Sequence, residues 1–123
     1  MDKINILGTE YSLEYLSSRE DKKLENLDGY TDFYLKRIVI EKDFENRLFD
    51  ETKINNYQNK ILRHEIIHAF LFESGLECNS LKTYNWSENE EMVDWFAIQS
   101  PKIFALFYEL KILGDWFKWI NLK

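Results

Sequence analysis

Apolar positions change their period along this chain. In "KINILG" apolar and polar residues alternate around Ile4 and Ile6, and Gly8 then supplies a turn point. Tyr11, Leu13 and Tyr15 of "EYSLEYLS" recur at period two, so both stretches predict half-buried strands. "SSREDKKLENL" is polar and predicts a short helix or a loop, and "DGYTD" reads as a turn. "YLKRIVIEKD", with β-branched Ile38, Val39 and Ile40 at its centre, predicts a third strand.

From about Asp50 the pattern turns helical. No Gly or Pro interrupts the run from Asp50 to Glu73, and Gly75 stands where a helix would close in a left-handed cap. "ECNSLKTYNW" is loop-like. Ser87 followed three residues later by Glu90 matches a capping box and predicts a helix to about Gln99. Ser100 and Pro101 predict the cap and first position of a further helix, "SPKIFALFYELKIL", which Gly114 breaks. Strands first and helices after give an α+β fold, expected as one domain over residues 1–123.

Composition narrows the class. Apolar residues make up 45 % of the chain and aromatics 16 %, enough to pack an interior and too many for a disordered chain. The net charge is -6 and no Lys/Arg cluster occurs, so direct nucleic-acid binding is not expected. The start "MDKINILGTE" lacks a basic stretch followed by an apolar core, and runs such as "IFALFY" are too short for a membrane helix. Cys78 is the only cysteine. These features predict a cytoplasmic protein without a membrane partner.

Both histidines of the chain fall in "ILRHEIIHAF". His64 and His68 are four apart and share a helix face, and Glu65 lies about 100° round the wheel. Two imidazoles so placed can hold one metal ion, with the intervening glutamate near enough to act as a general base on a bound water. The flanks Ile61, Leu62, Ile66, Ile67, Ala69 and Phe70 predict a buried helix, where imidazoles and a carboxylate without partners would be costly. Zn2+ is therefore the expected cofactor, with Glu65 catalytic.

A hydrolytic zinc site uses three protein ligands and keeps one position open. With no third histidine, the ligand must come from Asp, Glu or Cys. Glu73 is five residues past His68 and points away from it; Cys78 is a weak candidate on a loop. In "NEEMVDWFAIQ", Glu90 and Asp94 share a face bordered by Val93 and Ala97. Glu90 is the expected third ligand and Asp94 the acceptor of a ligating histidine's free ring N–H, which would fix its tautomer. Glu91 is the competitor. The helix dipole alone explains acids in the first turn, Glu88 and Glu91 included, but not Asp94 one turn deeper.

"HEIIH" followed by "NEEMVD" resembles the gluzincin pattern, and the small size together with "EMVDWFAIQ" is closest to the ImmA/IrrE-like minimal metallopeptidases of phages and mobile elements. The resemblance spans about residues 61–99. It implies a three-stranded sheet packed on the active-site helix, zinc on His64, His68 and Glu90, Glu65 as base, and in some members cleavage of partner repressors. Val93 and Asp94 stand where the family usually has Ala-Asn, and no DNA-binding region accompanies the domain. Leu71 and Ser74 stand where a metzincin would need Gly and His, which excludes that pattern.

The expected activity is hydrolysis of a peptide bond in a protein or peptide substrate. Tyr84 and Tyr108 are candidate oxyanion donors. A substrate strand could add to an open sheet edge, with "RIVIEKD" as the candidate unless it is internal. The rival reading is a non-catalytic zinc-binding scaffold or a phage-type inhibitor of a host protein, with the aromatic tail "GDWFKWINLK" as a possible docking patch.

Overall fold

A computed structural model of the chain describes residues 2–44, 50–75 and 89–114. Its strands are β1 (Asp2–Ile6), β2 (Thr9–Leu16), β3 (Gly29–Asp32) and β4 (Arg37–Glu41), with a 3-10 turn at Lys22–Glu25. Two helices follow, α1 (Glu51–Glu73) and α2 (Glu90–Glu109). The architecture is α+β, as the order of patterns predicts. Among the described residues no helix is long and apolar enough to cross a membrane.

Among the described residues the sheet has four strands in the order β1-β2-β4-β3, one more than the sequence pattern predicts. β1 and β2 form an antiparallel hairpin across Leu7 and Gly8, both at positive φ, the turn that matches the twist of paired strands. β2 and β4 are parallel, so the segment 17–36 between them crosses over and contributes β3 on the far side. β4 is thus internal, and "RIVIEKD" is not the sheet edge. Its Ile38, Val39 and Ile40 are fully buried, which explains the unbroken apolar run.

The additional strand is "GYTD", read from sequence as part of a turn. Gly29 is there for packing. A Cβ at this position would lie 2.8 Å from Ile61 Cγ2 and 3.0 Å from the Val39 carbonyl oxygen, so only glycine lets α1 cross this close to β3.

α1 starts at its Asp50 cap, whose carboxylate accepts from the Lys53 amide at 2.8 Å, and ends where Gly75 takes φ +84. Ile54, Tyr57 and Ile61 pack on a core built from Ile6, Tyr11, Leu13, Ile38 and Ile40 of the sheet. Tyr11 and Leu13 are buried, whereas Tyr15 on the same face is exposed. At the far end of α1, Glu73 turns away from the histidines and clamps the helix to the sheet. It accepts from Thr9 Oγ1 at 2.9 Å, Tyr11 Oη at 2.7 Å and Lys36 Nζ at 2.8 Å.

α2 departs from the sequence reading at both ends. Its cap is Asn89, which accepts from the Met92 amide at 2.9 Å; Ser87 lies outside the described residues. Glu90 is therefore the first helical residue rather than the partner of a capping box. Nor does a new helix begin at Ser100, because α2 runs unbroken through Pro101. Proline inside a helix removes the donor for the carbonyl four residues back, here Ala97, and an unmet buried carbonyl costs about 1–3 kcal/mol. Arg63 of α1 meets it instead, donating from Nε at 2.6 Å.

Burial alone would raise the Glu73 carboxyl, but hydrogen bonds from Lys36, Tyr11 and Thr9 outweigh it and hold the group below the usual carboxylate range. A depressed carboxyl contributes stability above its unfolded value of about 4.3, and that contribution disappears as pH falls through the folded value. Glu73→Gln should cost about 2 kcal/mol at pH 7. In urea unfolding, the gap between variant and wild type should narrow as the pH is taken down to about 3.

Candidate metal centre

α1 presents two adjacent stripes to two different neighbours. Ile61, Glu65 and Ala69, one turn apart each, face the sheet and are buried. Lys60, His64 and His68, the next stripe round, meet α2. The contacts run in opposite senses along the helices, Lys60 to Asp94, then His64 to Asp94 and Glu90, then His68 to Glu90. The two helices are therefore antiparallel where they meet.

At the end of this ladder three ligand-type side chains converge. His64 Nε2 lies 3.1 Å from Glu90 Oε2, His68 Nε2 lies 2.7 Å from Glu90 Oε1, and the two Nε2 atoms are 3.1 Å apart. Glu91, the competing carboxylate, is exposed and does not join them. All three donor atoms fall within 4.8 Å of one another, so His64, His68 and Glu90 can hold a metal ion. Donors on a tetrahedral ion with bonds of about 2.0–2.1 Å stand about 3.3 Å apart, close to this spacing.

The donor chemistry fits a cation as well. His64 Nδ1 lies 3.3 Å from Asp94 Oδ1, so a neutral His64 that donates there carries its lone pair on Nε2. That lone pair faces both a carboxylate oxygen and the other imidazole's Nε2. With the His68 lone pair on Nε2 as well, the three atoms would repel each other unless a cation or a shared proton sat among them.

Asp94 occupies the place expected for it, behind His64. Lys60 Nζ, 2.7 Å from the same oxygen, holds its carboxyl below the usual carboxylate range, and His64 adds to this. A carboxylate kept charged there would orient the imidazole and strengthen it toward any ion held by the triad. Lys60 is a participant that the sequence reading missed, although its i, i+4 spacing from His64 was a visible signal.

Glu65 is not a ligand in this arrangement. Only 7 % exposed, it lies under β3, where Thr31 Oγ1 contacts its Oε1 at 2.9 Å and its backbone oxygen at 3.1 Å. Burial pushes its carboxyl up, opposed by the two histidines and by the Thr31 hydrogen bond. Thr31 was also missed; no local pattern links a residue in β3 to one in α1.

The triad is open on two sides. A cavity of about 730 Å³ reaches His64, Glu65, Glu90 and Asp94 from the side of Asp28 and Tyr57. A second, of about 260 Å³, is lined by Gly29, Tyr30, Thr31, Phe33 and His68 and also touches Glu65 and Glu90. The Glu90 side chain is 72 % exposed, so an ion here would keep contact with solvent.

Of the two candidate oxyanion donors, only Tyr108 falls among the described residues, and it stands far from the triad. Tyr108 is exposed, and its eighteen-residue separation from Glu90 along α2 amounts to roughly 27 Å. Tyr84, Cys78 and the aromatic tail lie outside the described residues. Comparison with family models, curated proteins and solved structures gives no match.

Titration with Co2+ against a chromophoric chelator should separate the carboxylates. Glu90→Ala should weaken binding about a hundredfold or more, Asp94→Asn about tenfold, and Glu91→Ala by less than about twofold.

Proposed function

We propose that this chain is a zinc-dependent peptidase of the gluzincin type, similar to the ImmA/IrrE-like minimal metallopeptidases. One observation carries the reading: a buried glutamate stands beside a His64–His68–Glu90 triad that opens onto two cavities. His64, His68 and Glu90 would hold the zinc, with Asp94 fixing the His64 ring. Zinc, when bound, supplies the Lewis acidity that activates water and polarises a carbonyl.

The protein's own groups then handle the protons. Thr31 contacts Glu65 at Oε1, which leaves Oε2 as the oxygen proposed for proton transfer. That oxygen takes a proton from the attacking water and returns it to the leaving amine. Held within an apolar stripe, the carboxylate is a stronger base toward a nearby water than a fully solvated one. A non-catalytic scaffold has no use for a carboxylate in that stripe, which argues against the rival reading.

The substrate side of the reading rests on β3. Among the described residues it pairs only with β4, and its Gly29, Tyr30 and Thr31 line the smaller cavity. An extended peptide could add to this edge and pass the triad, which moves the proposed β-augmentation from "RIVIEKD" to "GYTD". A regulatory or repressor protein of a phage or mobile element, met in the cytoplasm, is the proposed substrate.

Glu65→Gln should retain zinc at wild-type stoichiometry while cleavage of a peptide library falls by about 10³-fold or more. Metal analysis and mass spectrometry of the products check both halves. Cleavage at the wild-type rate by this variant would reject Glu65 as the base.

A further inference from the structure

Glu90 is a ligand with little to hold it in place. It is the first residue of α2, and its side chain is mostly exposed. Where its carboxylate falls is decided by how α2 lies on α1. Of the polar contacts between the helices, Lys60–Asp94 joins two partly exposed side chains that can adjust to a shift. Arg63–Ala97 is different, because the guanidinium grips the backbone of α2. Ala97 is 0 % exposed, and its carbonyl is the one that Pro101 leaves without a helical donor.

We propose that Arg63 is a positioning residue for the metal centre: it replaces the amide missing at Pro101, locks α2 against α1, and so delivers Glu90 to His64 and His68. The inference rests on the reading of that triad as a metal site. Arg63 is the sequence neighbour of His64, so the residue that fixes α2 and the residue that binds the ion share one turn of α1. In a chain with 22 acidic residues, an arginine whose Nε goes to a neutral carbonyl is serving geometry. The proline and the arginine form a matched pair. The proline opens an acceptor in α2, and only a donor from the facing helix at the right height can close it.

Co2+ titration and urea unfolding of the ion-free protein test the pairing, using wild type, Arg63→Met, Arg63→Lys, Pro101→Ala and the Arg63→Met/Pro101→Ala double variant. Arg63→Met should lower Co2+ affinity about tenfold and shift the visible absorption of the bound ion, because Glu90 is displaced. Arg63→Lys, which keeps a donor, should recover part of the loss. In the double variant the amide at 101 closes on Ala97 within α2, and affinity should return to within about threefold of wild type. The double variant also covers the case in which Arg63→Met alone does not fold.

Wild-type affinity and spectrum in Arg63→Met would overturn the proposal while leaving the metal reading intact. So would a double variant as impaired as Arg63→Met. Absence of Co2+ uptake by wild type would overturn the metal reading and the positioning role together. Non-additive unfolding of Arg63→Met and Pro101→Ala would then identify only a brace between helices.

Discussion

A carboxylate sits in the stripe by which α1 meets the sheet, and the rest of the arrangement follows from keeping it there. Glu65 lies between Ile61 and Ala69 on a face that would otherwise be uniformly apolar. Withdrawing a carboxylate from water costs several kcal/mol unless donors or positive charge replace the solvent. β3 supplies one donor through Thr31. The other compensation must come from the neighbouring stripe, where the two imidazoles stand. The same side chain also lines both cavities, so its burial is not complete on that side.

β3 reaches Glu65 only because α1 lies very close to it. Gly29 allows that approach, with Ile61 filling the space where a side chain would be. The edge strand therefore has two jobs that one geometry serves: its Thr31 orients the carboxylate and its outer edge borders the smaller cavity. Moving β3 outward by the thickness of a methyl group would loosen both.

What was legible in the sequence depended on distance along the chain. Periods of two and of three to four residues revealed three of the four strands, the α+β class and the long helix with its Gly75 cap. The i, i+4 rule identified His64 with His68 and Glu90 with Asp94 as residues sharing a face, and these four come together in the structure. β3 was hidden because the pair Asp28-Gly29 mimics a turn, whereas the glycine answers to Ile61 in a helix far along the chain. The continuity of α2 was hidden for the same reason. Ser100-Pro101 has the local signature of a helix start, and the residue that overrules it, Arg63, belongs to another element. Local patterns report what a residue does for its own turn. They are silent on what it does for a neighbour.

The interface between the helices shows why polar contacts dominate there. Val93, Ala97 and Ser100 are the buried residues of α2, all small, so little apolar area is available to fix the crossing. Small side chains let the helices approach closely but leave them free to slide, since smooth surfaces lack interlocking ridges. Directional contacts remove that freedom. The Lys60–Asp94 and His64–Asp94 pairs favour one register, which their side chains alone would let shift, and the proposed role of the Arg63–Ala97 bond is to pin it at the backbone. A site that must bring ligands from two helices within bonding range of one ion needs both constraints, because a slide of one residue along α2, about 1.5 Å, would carry Glu90 out of the triad.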